Sequence, residues 1–177
     1  ANPTDAISAV TGRTDATPLA INTTTDFYQW QGAGGGVTPN NWNPLFGSLP
    51  GFENGAFDSY VTIGLTQTAN ADAGENAVEV VEDLATGPNA DPWIADFEAG
   101  GNISTSNAAG GGWFMFPGYA NAIAGDDNRV LIGQFTTDGL MSGGMFVQIF
   151  PEGDQNESIE FYMSFTAPNC ACTDESA

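Results

Sequence analysis

Between positions 158 and 165 the chain reads SIEFYMSF, in which Ile159, Phe161, Met163 and Phe165 alternate with Glu160, Tyr162 and Ser164. A period of two sends alternate side chains to opposite sides of an extended backbone, so this stretch predicts a strand with an apolar face inward and a polar face toward solvent. The stretch FDSYVTIGL (57–65) repeats the pattern, with Phe57, Val61, Ile63 and Leu65 inward and Asp58, Tyr60 and Thr62 outward. RVLIGQFTT (129–137), GGMFVQIF (143–150) and GWFMFP (112–117) are apolar on both parities, which predicts central strands. Shorter candidates lie in PLAINTTTDFYQW (18–30) and AVEVVE (77–82). The turn clusters TTDGLMSGG and PEGDQNES divide Arg129 to Thr166 into a three-stranded antiparallel meander. Only DPWIADFEA suggests a helical turn, with Asp91 as cap and Pro92 at the first position. Many short strands joined by polar, Gly-rich connections imply an all-β fold. The expected form is a two-layer antiparallel β-sandwich, jelly-roll-like, of about seven or eight strands.

A chain of 177 residues is expected to form one domain. We place it at 1–168, with an N-terminal extension (1–26) and with 169–177 as the start of a linker or Cys-rich repeat. The strand-like stretch Leu19 to Phe27 is followed by a long Gly-, Pro- and Asn-rich connection to Phe57. That spacing suggests an edge strand able to reach a neighbouring copy. VTIGLTQT from Val61 and VLIGQFTT from Val130 echo one another. They read either as a duplicated half-domain or as two core strands whose glycines, Gly64 and Gly133, permit a bulge or a close sheet contact.

Charge changes the picture of partners. The chain has 22 Asp and Glu against two Arg and no Lys, a formal net charge of -20. Such a surface repels nucleic acid and anionic membranes. There is no apolar run long enough for a membrane helix, and the opening residues lack the charged leader and apolar core of a signal peptide, so a mature, soluble chain is expected. An acidic, Lys-free surface suits an extracellular or high-salt setting, where screening over about 8 Å limits self-repulsion.

Chemistry is constrained mainly by missing parts. Without His or Lys, Ser-His-Asp and Cys-His arrangements, His-based zinc sites, and Schiff-base or P-loop lysine chemistry each lack a required group. A glycosidase-like carboxylate pair survives as a class, with Asp58, Glu98, Asp138 and Glu160 as its candidates, and no two of them stand out by spacing. The glycine runs GAGGGV and AAGGGW have neither the strand-to-helix setting nor the Lys of a phosphate cradle and read as turns. We therefore expect no enzymatic activity and no certain cofactor.

Two binding chemistries remain. Asp126, Asp127, Asn128 and Asp138 lie in loops flanking one expected strand and offer the hard oxygen ligands that Ca²⁺ takes, although turn preference explains the same residues. Aromatic side chains could form a sugar-stacking platform. Trp42, set among polar residues in NNWNP, is the best candidate for an exposed ring, with Tyr119 as a second. Sequons at Asn22, Asn102 and Asn156 are about as many as chance supplies in a chain this rich in Asn, Ser and Thr.

The two cysteines, Cys170 and Cys172, are one residue apart, and a bridge between them would close a strained ring. They are expected to be free or to pair with partners beyond the sequence. The end CTDESA resembles the start of a cysteine motif, Cys-Thr-Asp-x-x-Ala-Cys-Asn-Tyr continuing to Asp-Asp-Gly-Ser-Cys, which recurs in very large secreted and surface proteins of marine Bacteroidetes and some algae. Here Cys172, Thr173, Asp174 and Ala177 match. More loosely, FDSYVTIGL, PWIADFEAGGNI and RVLIGQFTTDGLMSG resemble parts of an uncharacterised domain that precedes such motifs. The resemblance implies an extracellular or cell-surface location and a modular protein, without implying chemistry. The functional expectation is a non-catalytic structural or adhesive module acting through strand edges. Its partners would be further copies or neighbouring domains. The alternative is a carbohydrate-binding module that takes a polysaccharide.

Overall fold

The computed structural model of the chain describes residues 2–12, 17–82, 92–106 and 111–166. Cys170, Cys172, Asp91 and the segment 169–177 lie outside the described residues. The described residues form nine strands: β1 (Ala6–Thr11), β2 (Leu19–Thr23), β3 (Tyr60–Val61), β4 (Glu79–Val81), β5 (Ile103–Thr105), β6 (Gly112–Phe114), β7 (Gly133–Gln134), β8 (Met141–Phe150) and β9 (Ile159–Thr166). One short helix, α1 (Ile94–Glu98), and several 3-10 turns complete them. The fold is all-β, antiparallel and sandwich-like, with very little helix.

Seven strands make the main sheet, and their registers show that it has only five lanes. β1 and β2 lie end to end along one edge of β8: Val10 pairs with Val147, and farther along Ile21 pairs with Gly143. β6 and β5 lie end to end on the far side of that lane, with Val10 opposite Trp113 and Ile21 opposite Ile103. β4 closes one side of the sheet through β6, and β9 closes the other through β8. Both interrupted lanes break at the same level, between Thr11 and Leu19 and between Thr105 and Gly112. The approach there is close enough that a Cβ on Gly12 would sit 2.5 Å from Leu19 N and from Thr105 O.

This placement overturns the N-terminal extension. β1 and β2 are flanked by strands on both sides, so the segment 1–26 supplies the middle lane and no edge. The small residues of AISAVT give weak hydrophobic contrast, yet Ala6, Ser8 and Val10 alternate into the core while Ile7, Ala9 and Thr11 remain partly exposed. Leu19, Ile21 and Thr23 continue the same inward row.

A second, mostly irregular layer packs on that row. It contains the β3–β7 ladder, α1 and the connecting turns, and it contributes the buried Phe27, Val61, Ile63, Leu65, Trp93 and Phe97. Here the sequence echo acquires a meaning, because its two copies pair with one another: Val61 lies opposite Gly133, and Thr62 N and Gly64 N donate to Ile132 O and Leu131 O. RVLIGQFTT therefore joins β3 in the second layer, and the expected meander reduces to the β8–β9 hairpin. The expected alternation in FDSYVTIGL also fails. Val61, Ile63 and Leu65 are buried as expected, but so are Asp58, Tyr60 and Thr62, while Phe57 is exposed. Burial on both parities is tolerated because the polar groups are partnered: Thr62 O accepts from the Trp113 indole N–H, and Thr62 Oγ1 accepts from Leu65 N.

α1 begins at Ile94, two residues later than expected from Pro92 at the first helical position, with Trp93 as N-cap. The acceptor for its open N–H groups is the Glu82 carboxylate, which takes bonds from Trp93 N and Ile94 N.

The sheet's inner face outruns the second layer at one side. Because Phe161 and Met163 pair with Val147 and Met145, they share the core-facing side of the sheet, as the alternation implies. Yet β9 is not half-buried: Ile159, Phe161 and Met163 remain 57%, 41% and 37% exposed.

Candidate functional site

A cleft of about 700 Å³ is built from the segment after β2, the 3-10 turn Glu53–Phe57, the end of α1 and the segment before β8. Its floor is Phe27, which packs into the core against Phe97 and Phe135 at ring-centroid distances of 5.7 and 5.6 Å. Because Phe27 turns inward, its neighbours Asp26 and Tyr28 turn out to the cleft. Tyr28 is fixed through its backbone, donating to Thr136 O at 2.7 Å and accepting from Ser59 N at 3.0 Å. Ser59 ties the same strands together a second time, since its hydroxyl accepts from Thr136 N at 2.9 Å.

Thr137 organises the other rim. Its hydroxyl lies 2.8 Å from Thr23 Oγ1 and 3.0 Å from Thr25 Oγ1, donates to Asp26 O and accepts from Gly139 N. Asp26 and Asp138 are thereby brought to one cleft from positions more than a hundred residues apart. Gln29, Gln31 and Asn54 add amides to the lining, and Phe57 and Tyr28 present rings that are 57% and 37% exposed. The Gln29 amide nitrogen is buried and has no hydrogen-bond partner.

Asp58 lies beneath this region as a structural anchor. Its carboxylate accepts from Trp30 N at 2.7 Å and Gly36 N at 3.3 Å, holding the glycine-rich run onto the second layer. Burial pushes its pKa above the ordinary carboxylate value of 3.8; the backbone bonds from Trp30 and Gly36 oppose the shift, and the nearby Glu98 charge adds to it. A carboxyl whose folded pKa is raised contributes stability that is full below the unfolded pKa and is lost as pH rises through the folded one. An amide at this position does not titrate. Relative to Asp58→Asn, the natural chain should therefore gain stability as pH falls from 7 toward 4. Urea midpoints of the two proteins at both pH values check this, and a gap that stays constant or closes at low pH would contradict it.

The other candidate carboxylates are dispersed. Glu98 accepts from Val37 N beside the glycine-rich run, Asp138 faces the cleft, and Glu160 on β9 accepts from Gln148. Asp126, Asp127 and Asn128 form a tight turn in which Asn128 has a φ of 56° and Asp127 accepts from Arg129 N. Among the described residues no three Asp, Glu, Cys or His side chains converge on a point where an ion could sit, so Asp126, Asp127 and Asp138 are not gathered into one set.

Trp42 and Tyr119 have different packing environments. Trp42 is half-buried, edge-on to Phe46 at 5.7 Å, and lines a pocket of about 240 Å³ with Asp58, Tyr60 and Gln134. Tyr119 caps a 3-10 turn and packs against the core. At the 700 Å³ cleft the exposed rings are Tyr28 and Phe57, the latter on the side that strict alternation assigns to the interior. The one available signal was local: Phe57 is followed by Asp58 and Ser59, polar residues whose partners hold the turn.

Compared with known protein families, curated proteins and solved structures, the chain has no significant match in any of the three. No helix among the described residues is long and apolar enough to cross a membrane.

Proposed function

We propose that the chain is a non-catalytic structural or adhesive module of an extracellular assembly, and that its contact surface is β9. The observation carrying this reading is the coincidence, on one strand, of a sheet edge that no other described strand pairs with and an exposed apolar row. β9 pairs with β8 over Ile159 to Thr166 and with no other described strand, so its far edge offers a line of main-chain donors and acceptors. Ile159, Phe161 and Met163 stand exposed beside that edge. Surfaces of this kind recruit a strand from another chain or domain, with main-chain bonds supplying affinity and the apolar row supplying buried area.

Charge supports β9 over other surfaces. The strand carries a single charged residue, Glu160, in a chain of net charge -20. Contact there meets the least local repulsion, and salt weakens the long-range part that remains. A secreted setting is supported by the acidic, Lys-free composition and by the cysteine motif that CTDESA resembles. The absence of His and Lys supports a non-catalytic role.

The test is light scattering of the full chain across a salt series, beside the double variant Phe161→Lys, Met163→Lys. Both positions are partly in solvent, and a urea titration checks that the variant still unfolds cooperatively. The natural chain should grow in particle size as salt rises, and the variant should not. A natural chain that stays monomeric at molar salt, or a variant that associates equally well, would remove the basis for the reading.

A further inference from the structure

The cleft floored by Phe27 is independent of β9, and its lining has a chemistry of its own. Its walls offer two solvent-facing rings, Tyr28 and Phe57, and its polar groups are the carboxylates of Asp26 and Asp138 and the amides of Gln29, Gln31 and Asn54. Among the described residues no cationic side chain lines it. From these observations we infer that the cleft binds an uncharged saccharide segment, with a sugar ring stacked on Tyr28 or Phe57 and its hydroxyls bonded to Asp26, Asp138 and the amides.

Each part of the lining selects for that class. A pyranose ring has a C–H face that packs on an aromatic ring, and two rings at one cleft supply apolar area that a small inorganic ion would not use. A sugar hydroxyl is both donor and acceptor. Carboxylates accept from it in short, charge-assisted bonds, while side-chain amides serve either role. A cleft holding two carboxylates and no cation disfavours uronates, sulfated sugars and phosphorylated ligands, and the chain's overall charge repels them at a distance. The volume of about 700 Å³ is ample for a short saccharide segment.

Gln29 supplies the independent observation. A buried amide donor without an acceptor is costly in a folded protein. Gln29 is also one of the residues that line this cleft, and a ligand hydroxyl is the acceptor the inference assigns to it. The scaffold is otherwise held firmly, because the Tyr28 backbone is bonded on both sides and the Thr137 hydroxyl ties Asp26 to the segment that carries Asp138. Preorganisation of this kind lowers the entropy lost on binding.

Titration calorimetry of the full chain tests the inference with four- to six-residue oligosaccharides from β-1,3-glucan, β-1,4-glucan, β-1,4-xylan and α-mannan. Alginate and carrageenan oligosaccharides serve as anionic comparisons, and glucosamine oligomers as cationic ones. At least one neutral oligosaccharide should bind with a Kd below about 1 mM, and Phe57→Ala or Tyr28→Ala should weaken it about 10-fold. Asp138→Asn should weaken it less, and Phe161→Lys on β9 should leave it unchanged. Urea midpoints establish that the variants fold. Absence of binding by every neutral oligosaccharide at 10 mM, a preference for the anionic or the amino-sugar ligands, or binding unaffected by both aromatic variants would overturn the inference. None of these outcomes bears on association through β9.

Discussion

Removal of residues 1–26 is expected to abolish the cooperative unfolding transition of this chain. The deletion takes out β1 and β2, the lane that lies between β8 and the β5–β6 lane. Without it β8 loses its pairing on one side, and β4, β5 and β6 lose their connection to the rest of the main sheet. Val10, Leu19 and Ile21, all fully buried, leave the core at the same time. At about 1.5–3 kcal/mol for each fully buried aliphatic side chain, these three alone represent roughly 5–9 kcal/mol. That is comparable to the whole stability of an ordinary domain, about 5–15 kcal/mol, before any ladder hydrogen bond is counted. Circular dichroism and urea titration of the truncated chain provide the measurement. A truncated protein that unfolds cooperatively near the natural midpoint, having lost only its capacity to associate, would restore the segment to the accessory role its composition first suggests.

Gly64→Ala is expected to cost about 3–5 kcal/mol, in the range reserved for severe backbone conflicts. Two independent constraints meet at this position. Gly64 has a φ of +72°, a left-handed conformation that costs a residue with a Cβ about 1–2 kcal/mol. An added Cβ would also stand 1.8 Å from Asn121 O, which is backbone and has little freedom to move. The Asn121 side chain is engaged in the same place, donating to Ile63 O at 2.8 Å and Asn76 O at 3.2 Å and accepting from Asn76 N at 3.1 Å. Relief of the clash therefore requires breaking a buried network as well as shifting the chain. Gly47→Ala is the control: nothing lies within 4 Å of its would-be Cβ, and its φ lies outside the left-handed region. Urea midpoints should separate the two widely. Similar midpoints for both variants would mean that the Gly64–Asn121 approach is looser than the geometry indicates.

Several features were readable along the chain because they depend on near neighbours. Alternation in SIEFYMSF and the both-parity apolar run GGMFVQIF define β9 and β8, and the turn residues of PEGDQNES define their hairpin. The glycines of the VxIG echo marked a close contact, although which backbone Gly64 meets was not visible. The missing His and Lys limit the chemistry available to the chain.

What the sequence by itself determined is therefore the all-β class, the inner and outer parity of β9, the strongly acidic composition, and a restricted set of reactions. The tertiary structure alone decided which parity another layer covers and which strands lie in the middle. A period of two states that a strand has two faces; it carries no information on how far the second layer extends, so the apolar row of Ile159, Phe161 and Met163 looks the same in sequence whether buried or bare. The small residues of AISAVT carry little hydrophobic contrast, and only long-range pairing with β6 and β8 gives them a central place. The cleft is more remote still from local pattern. Asp26, Phe57 and Asp138 become neighbours only after the β3–β7 ladder and the Thr137 hydroxyl join segments far apart in the chain, because a binding surface is set by which side chains converge in space rather than by their spacing along the backbone.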